Sequence, residues 1–369
     1  MLITSLATLT ACEGDDNQPT QSPTPGPSPS ATASPTPSPT PLPSLTLADV
    51  FPPRDLGVLG LDPARLRTVI ATGDVIPARY TDVIIRQQGD DFLYPVALTK
   101  AITSAADLTV INLEAPLIES CPYHDSGFTF CGRPGFIEAL QTSGVDVATL
   151  ENNHIGNYGQ SGVDETVRHL EGAEIRWADR DSAAVVSVRG LKFGFLAYNG
   201  VEQKLDRLTM EAQIKKLRPI VDVLAVSFHW GTEYVSLPQA VPPVADDDPV
   251  DLAHLAVDSG ADLIIGNHPH WVQAIEFYKG KLIAYAHGNF IFDQMWSYET
   301  RVGVIGKYTF YDDTLIGVEF TPTLIENYAQ PRPLEGPERQ AVLDNMKAAS
   351  DELAAKVGAG RTPRPATGP

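Results

Sequence analysis

Short apolar runs alternate with amphipathic segments between about residue 64 and residue 325. Five of these runs have the length and composition of buried strands: TVIATGD, LTVINLE, DVATLENNH, VDVLAVSFH and ADLIIGNHPH. Intervening stretches such as SGVDETVRHLEG carry apolar residues at helical spacing. The pattern predicts a layered α/β domain, with His169 and His254 lying on helices and facing solvent.

Further strands are predicted outside this parallel core. The segment AAVVSVRGLKFGFLAYNG indicates two strands joined at a tight turn, and GVIGKYTFYDDTLIGVEF continues as strands, so the sheets are expected to be mixed. Apolar residues recur at helical spacing in QAVLDNMKAASDELAAKVG. The main domain is therefore expected at residues 46–330, a C-terminal helix at residues 331–357 and a disordered tail at residues 358–369.

Polar residues stand at the ends of the five apolar runs. In α/β sheets, ligands bind beyond the carboxyl ends of strands, so these side chains are expected to converge at one rim. They are Asp74, Glu114, Asn153, His154, His229, His268 and His270. Carboxylate, amide and imidazole groups together suit divalent transition metals. Each also has a structural alternative: Asp74 as a turn cap, Glu114 paired with arginine, and Asn153 in an Asx-turn.

The histidines in NHPH are separated by one proline. In an extended segment, the side chains of His268 and His270 project to the same side, so both imidazoles would reach one point in space. That geometry suits a metal ion, whereas the alternative is a loop carrying two solvated or hydrogen-bonded histidines. The convergence of the other strand ends favours the metal.

The N-terminal segment differs in composition from the rest of the chain. Residues 1–12 form an apolar run that ends in LTAC and resembles the lipobox of a bacterial lipoprotein signal, which would make Cys12 a lipidated residue. Residues 13–45 are rich in Pro, Ser and Thr and predict an extended, disordered stalk. These features predict an extracytoplasmic protein anchored at the bacterial cell surface by lipid; the alternative is an ordinary frayed N-terminus.

Two of the three cysteines lie close together in the segment ESCPYHDSGFTFCG. Cys121 and Cys131 are predicted to form a disulfide, which fits an oxidising exterior. His124 lies between them, so a metal site in this loop is the alternative, although the spacing is not that of a zinc finger.

Charge limits the range of partners. The formal net charge is −19, which argues against nucleic acids and anionic membrane surfaces as electrostatic partners. No apolar segment after residue 12 is long enough to span a bilayer, so membrane attachment is expected through the N-terminal lipid alone.

Six short blocks give the chain a family resemblance: TGD, INLEAPL, NNHIGNYG, FHWGTEY, IIGNHPHWVQ and GNFIFDQ. Together they resemble the CapA family of poly-gamma-glutamate capsule-synthesis proteins, which is similar to the calcineurin-like metallophosphoesterases. The match runs from about residue 67 to residue 325. The resemblance implies a four-layer α/β/β/α sandwich with mixed sheets and a site for two divalent metal ions, Mn, Fe or Zn.

The resemblance also implies a role for each candidate ligand. Glu114 takes the position of a bridging carboxylate. Asn153, His229 and His268 complete one metal site, while Asp74 and His270 hold the other. His154 matches the position that assists the leaving group. Further residues expected to line the site are Asn112, Asn152, Asn157, Trp230, Glu233, His287 and Asn289.

Three positions depart from the pattern of these families. Ile76 stands where phosphoesterases usually carry a histidine ligand, which weakens the expected Asp74 and His270 site. Asn157 replaces an aspartate that would orient a histidine. His287 adds an imidazole near the rim, either as a site residue or as a packed histidine.

Together with the lipobox-like N-terminal segment, the resemblance indicates a surface-tethered metal-dependent hydrolase that acts on a phosphoester or on a bond in an anionic polymer, in association with the capsule-synthesis machinery. One alternative is a non-hydrolytic protein that binds or assembles the capsule polymer. A binding protein with a vestigial metal site is the other, and Ile76 and Asn157 favour it.

Overall fold

The structure is a computed structural model that describes residues 44–358 of the 369-residue chain. The predicted signal segment, Cys12, almost all of the predicted stalk and residues 359–369 lie outside the described residues.

Strands and helices alternate along the described chain. The strands are β1 (Leu66–Val75), β2 (Leu108–Leu113), β3 (Val147–Thr149), β4 (Arg176–Ala178), β5 (Ala184–Val188), β6 (Leu191–Asn199), β7 (Val223–His229), β8 (Leu263–Asn267), β9 (Ile275–Tyr278), β10 (Lys281–Ala284), β11 (Asn289–Ile291), β12 (Val302–Tyr311), β13 (Thr314–Glu326) and β14 (Gln330–Pro333). The α-helices are α1 (Tyr80–Gln87), α2 (Lys100–Thr103), α3 (Ile137–Thr142), α4 (Gly159–Gly172), α5 (Arg207–Leu217), α6 (Pro249–Ser259), α7 (Tyr298–Arg301) and α8 (Gly336–Gly358). Among residues 44–358, no helix combines the length and apolar character needed to cross a membrane.

The strands form two mixed sheets. The first has the order β14-β13-β12-β1-β2-β3-β4, with β11 also paired to β1. In it, β1 to β4 run parallel, and β12 joins β1 in the antiparallel direction. The second has the order β5-β6-β7-β8-β10-β9, with β6, β7 and β8 parallel. The prediction of antiparallel strands added to a parallel core is confirmed.

Side chains that alternate along each strand build the layers. In β1, Val69 and Ala71 belong to the apolar core between the two sheets, whereas Ile70 packs with residues of α3 and α4 on the outer face. In the second sheet, Leu224 and Val226 face the opposite way and pack with α5 and α6. The predicted four-layer α/β/β/α sandwich is therefore confirmed.

Helix α8 packs against β9 of the second sheet and β13 of the first. Ala349 and Leu353 join the apolar core on the helix side of that sheet, and Ser350 Oγ accepts a hydrogen bond from the backbone N–H of Ile275 (2.9 Å). The predicted helix at residues 331–357 begins later, at Gly336, because residues up to Pro333 pair with β13 as strand β14.

The prediction for His254 is wrong. This residue lies on α6 but is buried, and its Nε2 lies 2.9 Å from Glu276 Oε1 on β9. Its ring also stacks on Tyr278 with the centroids 3.7 Å apart. The polar partner and the aromatic face make burial of the imidazole tolerable, which helical spacing alone did not reveal.

Candidate metal centre

The two sheets contribute side chains to one rim. Asp74 lies in β1 and Glu114 directly follows β2, while His229 ends β7 and His268 and His270 follow β8. All five are buried. Residues that are far apart in sequence meet here because the carboxyl ends of the parallel strands lie at the same edge.

Glycines allow the backbones to approach closely at this edge. A Cβ atom on Gly73 would lie 2.0 Å from the carbonyl oxygen of Gly288, and one on Gly266 would lie 1.9 Å from that of Tyr285. Because such distances are impossible for a side chain, glycine is required at both positions. The first of these contacts also lets the backbone N–H of Asp74 donate to Gly288 O (3.0 Å).

The candidate ligands form two overlapping groups. Potential ligand atoms of Asp74, Glu114 and His229 lie within 4.8 Å of one another, and so do those of Glu114, His268 and His270. Glu114 is common to both, which is the arrangement that a bridging carboxylate needs. The resemblance instead pairs Asp74 with His270, and their Oδ2 and Nδ1 atoms lie 3.3 Å apart. The distances therefore allow Asp74 to share a metal ion either with His229 or with His270.

The carboxylate of Glu114 is completely buried, and neither oxygen accepts a hydrogen bond from an N–H or hydroxyl group of the described residues. Burial, together with the nearby charge of Asp74, raises its pKa well above the ordinary value. A buried carboxylate without donors is costly unless a cation compensates it. The residues therefore fit a divalent metal ion.

Asp74 is held by one donor from β2 and one from the segment after β8. Asn112 Nδ2 donates to Asp74 Oδ1 (2.8 Å), and the backbone N–H of His268 donates to Oδ2 (3.3 Å). Burial alone would raise the pKa of Asp74, but His270, His229 and Asn112 together keep it below its ordinary value. The side chain is therefore an ionised carboxylate suited to a cation.

The imidazoles of His229 and His268 are kept neutral. Burial lowers the pKa of His229 to about 4, and burial beside three other histidines lowers the pKa of His268 well below its ordinary value. His229 Nε2 lies 2.9 Å from Asn153 Oδ1, whereas His268 Nδ1 has no hydrogen-bond partner among the described residues. Metal coordination requires neutral imidazoles, and Nδ1 of His268 is a nitrogen that is available for it.

His270 has a different environment. Burial disfavours its charge, but Asp74 and Glu114 outweigh burial and raise its pKa to about 9. Its Nδ1 lies 2.8 Å from Asn289 Oδ1, and its Nε2 lies 3.8 Å from Glu233 Oε1. Asn289 in turn donates to Gln294 Oε1 (3.2 Å) and to Thr300 O (2.8 Å), which fixes its amide.

The His-Pro-His segment is a turn, not the extended segment expected from its sequence. His268 has φ of 94° and His270 has φ of 54°, both in the left-handed region. Non-glycine residues there cost about 1–3 kcal/mol each and concentrate at functional sites. Their ring centroids lie 5.8 Å apart, so the turn still brings both imidazoles to Glu114.

His154 lies beside this cluster and is half-buried. Its Nδ1 lies 3.1 Å from Asn157 Oδ1, and its ring packs on Phe130 with the centroids 4.2 Å apart. Burial, with a smaller effect of His229 and His270, lowers the pKa of His154 to about 4. Asn157 thus presents an amide oxygen to the imidazole, at the position where the resemblance expects a carboxylate.

Asn112 and Asn152 form a hydrogen-bond network that supports the rim. Asn152 Nδ2 donates to Asn112 Oδ1 (3.1 Å) and to Leu113 O (2.9 Å). Its own Oδ1 accepts from the backbone N–H groups of His154 (3.2 Å) and Ile155 (2.7 Å). The network joins the β2 end to the loop that carries Asn153 and His154.

Two residues expected to line the site point elsewhere. Trp230 stacks on Phe228 in the helix-side core, and its Nε1 donates to Tyr285 O (2.9 Å). His287 is fully buried, with Nε2 lying 2.6 Å from Tyr308 Oη. Trp230 directly follows His229, and strand alternation therefore turns its side chain away from the rim. Of the two alternatives for His287, a site residue or a packed histidine, the structure shows the packed histidine.

Ile76 lies in a small apolar cluster with Ala78, Phe130 and Phe292 and is fully buried. The position where phosphoesterases usually carry a histidine therefore offers no ligand atom here.

Several neighbours of the site were missed from the sequence. Arg79, five residues after Asp74, pairs with Asp293, and its guanidinium lies 4.9 Å from the centroids of Phe130 and Phe292. The ring of Tyr234 lies 6.2 Å from that of His270. Tyr234 and Asp293 lie within the FHWGTEY and GNFIFDQ blocks, and Arg79 follows TGD, so these positions were the signal that the sequence offered.

The loop between β2 and α3 is closed by a disulfide between Cys121 and Cys131. The bond leaves no free thiolate for a metal site with His124, the alternative considered from the sequence.

Similarities to solved structures are weak. A hypothetical protein from Thermus thermophilus has a TM-score of 0.45 at 14% identity, covering 69% of this chain and 98% of that chain. A putative 5'-nucleotidase from Staphylococcus aureus has a TM-score of 0.40 at 12% identity, covering 77% and 58%.

Sequence similarity is more informative. The capsule biosynthesis protein CapA of Bacillus anthracis is 24% identical over 72% of this chain and 69% of its own length. The PGA biosynthesis protein CapA of Bacillus subtilis is 27% identical over 71% and 72%. A probable polyglutamine synthesis accessory protein of Mycobacterium tuberculosis is 29% identical over 53% and 58%. The family model described as "Bacterial capsule synthesis protein PGA_cap" matches residues 68–294. Because this match covers more than half of the chain, the chain belongs to that family.

Proposed function

We propose that this protein is a metal-dependent hydrolase that cleaves a phosphoester, or a bond in an anionic polymer, during capsule or poly-gamma-glutamate synthesis. The observation that carries the proposal is the buried carboxylate of Glu114, which lacks donors and is common to both groups of candidate ligands. An arrangement that served only the fold would pair this carboxylate with a donor.

The residues proposed to hold two divalent ions, Mn, Fe or Zn, are Asp74, Glu114, Asn153, His229, His268 and His270. Such ions, when bound, supply a water of lowered pKa and compensate the charge of a phosphoryl oxygen. Asn112 orients Asp74, and Asn289 orients His270. These supporting hydrogen bonds reduce the reorganisation needed to bind the ions.

His154 is proposed to handle the leaving-group proton. Its Nδ1 is engaged by Asn157, which leaves Nε2 for the substrate. Although burial lowers its pKa to about 4, an anionic substrate beside the ring stabilises the protonated form and raises that pKa. The ring then donates a proton from Nε2 to the departing oxygen.

The proposed setting is the bacterial cell surface, with the domain anchored through a lipid on Cys12. This rests on the sequence of residues 1–45. The names of the relatives from Bacillus anthracis and Bacillus subtilis support a partner in capsule or PGA biosynthesis. With a net charge of −19, an anionic substrate would need bound cations to offset repulsion.

Hydrolysis is tested with protein loaded separately with Mn²⁺, Fe²⁺ and Zn²⁺ and assayed on bis(4-nitrophenyl) phosphate, glycerophosphocholine and poly-gamma-glutamate. We expect turnover of at least one substrate that is abolished by a chelator and by Glu114→Gln. Glu138→Gln, at an exposed position on α3, is the matched control. Metal binding without turnover of any substrate would contradict the proposal.

The second candidate is a non-hydrolytic protein that binds the capsule polymer through its metals. The apolar surroundings of Ile76 favour it, because one metal position has fewer protein ligands. In that case, metal-dependent binding of poly-gamma-glutamate would be measurable by calorimetry, and the same protein would cleave none of the three substrates.

A further inference from the structure

Residues 121–131, here called the disulfide loop, run from the surface to the metal centre. Tyr123 and Phe128 are exposed, with 63% and 76% of their surface accessible. At the far end Phe130 is only 2% exposed and Cys131 is fully buried. The disulfide joins the buried Cys131 to the half-buried Cys121.

Phe130 acts on His154 directly, through its ring, and indirectly, through Asn157. Its ring packs on the imidazole with the centroids 4.2 Å apart, and its backbone N–H donates to Asn157 Oδ1 (2.6 Å). That same oxygen accepts from His154 Nδ1 (3.1 Å). One residue of the loop therefore fixes both the face of the imidazole and the amide that holds its Nδ1.

These contacts select one form of the imidazole. An atom that receives the N–H of Phe130 must be an oxygen, so the amide of Asn157 has only one orientation here. The neutral ring of His154 then carries its hydrogen on Nδ1, and the lone pair lies on Nε2.

Other contacts attach the loop to the rim. Arg79 Nη1 donates to Gly127 O (2.9 Å), and the guanidinium lies over the ring of Phe130. The ring of Phe292 packs edge-on against Phe130, with the centroids 5.7 Å apart. Phe130 is thus held on one side by the rim and on the other, through Cys131, by the disulfide.

We infer that the disulfide loop is a positioning element for His154: Phe130 fixes the orientation and tautomer of the imidazole, and the Cys121–Cys131 bond keeps Phe130 in place. Phe130 is a positioning residue, because it acts on the leaving group only through His154. The inference deepens the proposed function and rests on it for its kinetic consequence, but the tautomer is a property of the metal-free protein.

The tautomer is measured by two-bond ¹H–¹⁵N correlation spectra of the metal-free, histidine-labelled full chain, with His154→Gln used for assignment. We expect a hydrogen on Nδ1 in the native protein. Phe130→Leu and Cys121→Ser/Cys131→Ser should shift His154 towards a mixture of tautomers, because losing the ring contacts or the disulfide lets the backbone N–H of residue 130 move away from Asn157 Oδ1. Phe128→Leu, an exposed change within the same loop, should not.

Thermal unfolding checks that each variant folds. Should the double cysteine variant fail to fold, Phe130→Leu decides the question, and Phe130→Met replaces it if leucine is not tolerated. A native Nδ1 tautomer in the folded Phe130 variants would overturn the inference. In the Phe130→Leu background, Asn157→Asp should restore the tautomer, because a carboxylate binds the Nδ1 hydrogen more strongly.

The kinetic measurement uses the metal-loaded full chain. We expect kcat for glycerophosphocholine, which has an alkoxide leaving group, to fall about 10- to 100-fold in Phe130→Leu, with KM and metal content unchanged. The deficit should be smaller for bis(4-nitrophenyl) phosphate, and an equal deficit for both substrates would contradict the inference. If the native protein hydrolyses neither of these phosphodiesters nor poly-gamma-glutamate, the proposed function fails, while the tautomer measurement still decides the role of the loop.

Discussion

Glu114 Oε1 lies 3.3 Å from His229 Nε2, at a point where the ends of the two sheets meet. Glu114 follows a strand of the first sheet and His229 ends a strand of the second. A metal ion between them would therefore join the two halves of the sandwich. Its removal is expected to affect the stability of the domain as well as any activity.

Replacing Glu114 by glutamine should abolish tight metal binding at both positions, because the residue is common to the two ligand groups. Elemental analysis after incubation with Mn²⁺ should give about two equivalents for the native protein and for Glu138→Gln, and less than about half an equivalent for Glu114→Gln. Without metal, Glu114→Gln should be the more stable protein, because it removes a buried carboxyl group whose ionisation is opposed by burial and by Asp74. Native metal content in Glu114→Gln would show that the carboxylate is not a ligand.

The two metal positions should differ in affinity. Ile76 offers no ligand atom, so the site expected to use Asp74 and His270 should lose its metal first during a chelator titration. Ile76→His should tighten that site, at some cost in stability because it places an imidazole in an apolar cluster. Ile76→Val is the control for the loss of packing. Simultaneous loss of both metals, unchanged by Ile76→His, would refute the assignment.

Removal of His154 should reduce turnover without reducing metal content. We expect His154→Ala to lower kcat about 10² to 10⁴-fold for a substrate with an alkoxide leaving group. The loss should be smaller for nitrophenolate, which needs little protonation. His169→Ala, at a half-buried position on α4, serves as the comparison. If His154→Ala lost its metal, His154 would have to be a ligand instead.

Buried His287 should make the fold sensitive to acid. Burial lowers its pKa to about 4 in the folded state, from an ordinary value of 6.5. The unfolded chain therefore binds a proton that the folded protein does not, and stability falls as the pH drops from 6.5 to about 4. Relative to His287→Gln, the native free energy of unfolding should decrease by about 1.4 kcal/mol per pH unit below 6.5. Denaturant titrations of the metal-free proteins measure this difference, and parallel pH profiles would exclude it.

Cys12→Ser should release the protein from the membrane fraction of its bacterial host, because lipidation requires the thiol. Cell fractionation followed by immunoblotting measures the distribution. Cys121→Ser/Cys131→Ser should remain with the membranes, since neither cysteine lies in the lipobox-like segment. Continued membrane association of Cys12→Ser would point to a different anchor.

The local pattern was sufficient to predict the architecture. Strand periodicity and helical spacing predicted the layered α/β domain, because a sheet must bury one face against helices and the other against its partner sheet. The six blocks likewise identified the family and, through it, the four-layer sandwich. The pattern also placed Asp74, Glu114, His229, His268 and His270 at strand ends, and the topology brings those ends to one rim.

The direction in which each side chain points could be established only from the tertiary structure. Trp230 directly follows His229, but strand alternation turns it into the helix-side core. His254 became a buried partner of Glu276, and His287 turned inward to Tyr308. No local pattern reveals these contacts, because each depends on a residue supplied by a distant strand.

The sequence by itself determined which chemical groups are available and at which strand ends they stand. Tertiary structure decided that Glu114 receives no hydrogen bond from its neighbours and that Phe130, from a disulfide loop, packs on His154. The physical reason is that burial and hydrogen bonding depend on every element packed around a group. Those elements are brought together only when the two sheets close on each other.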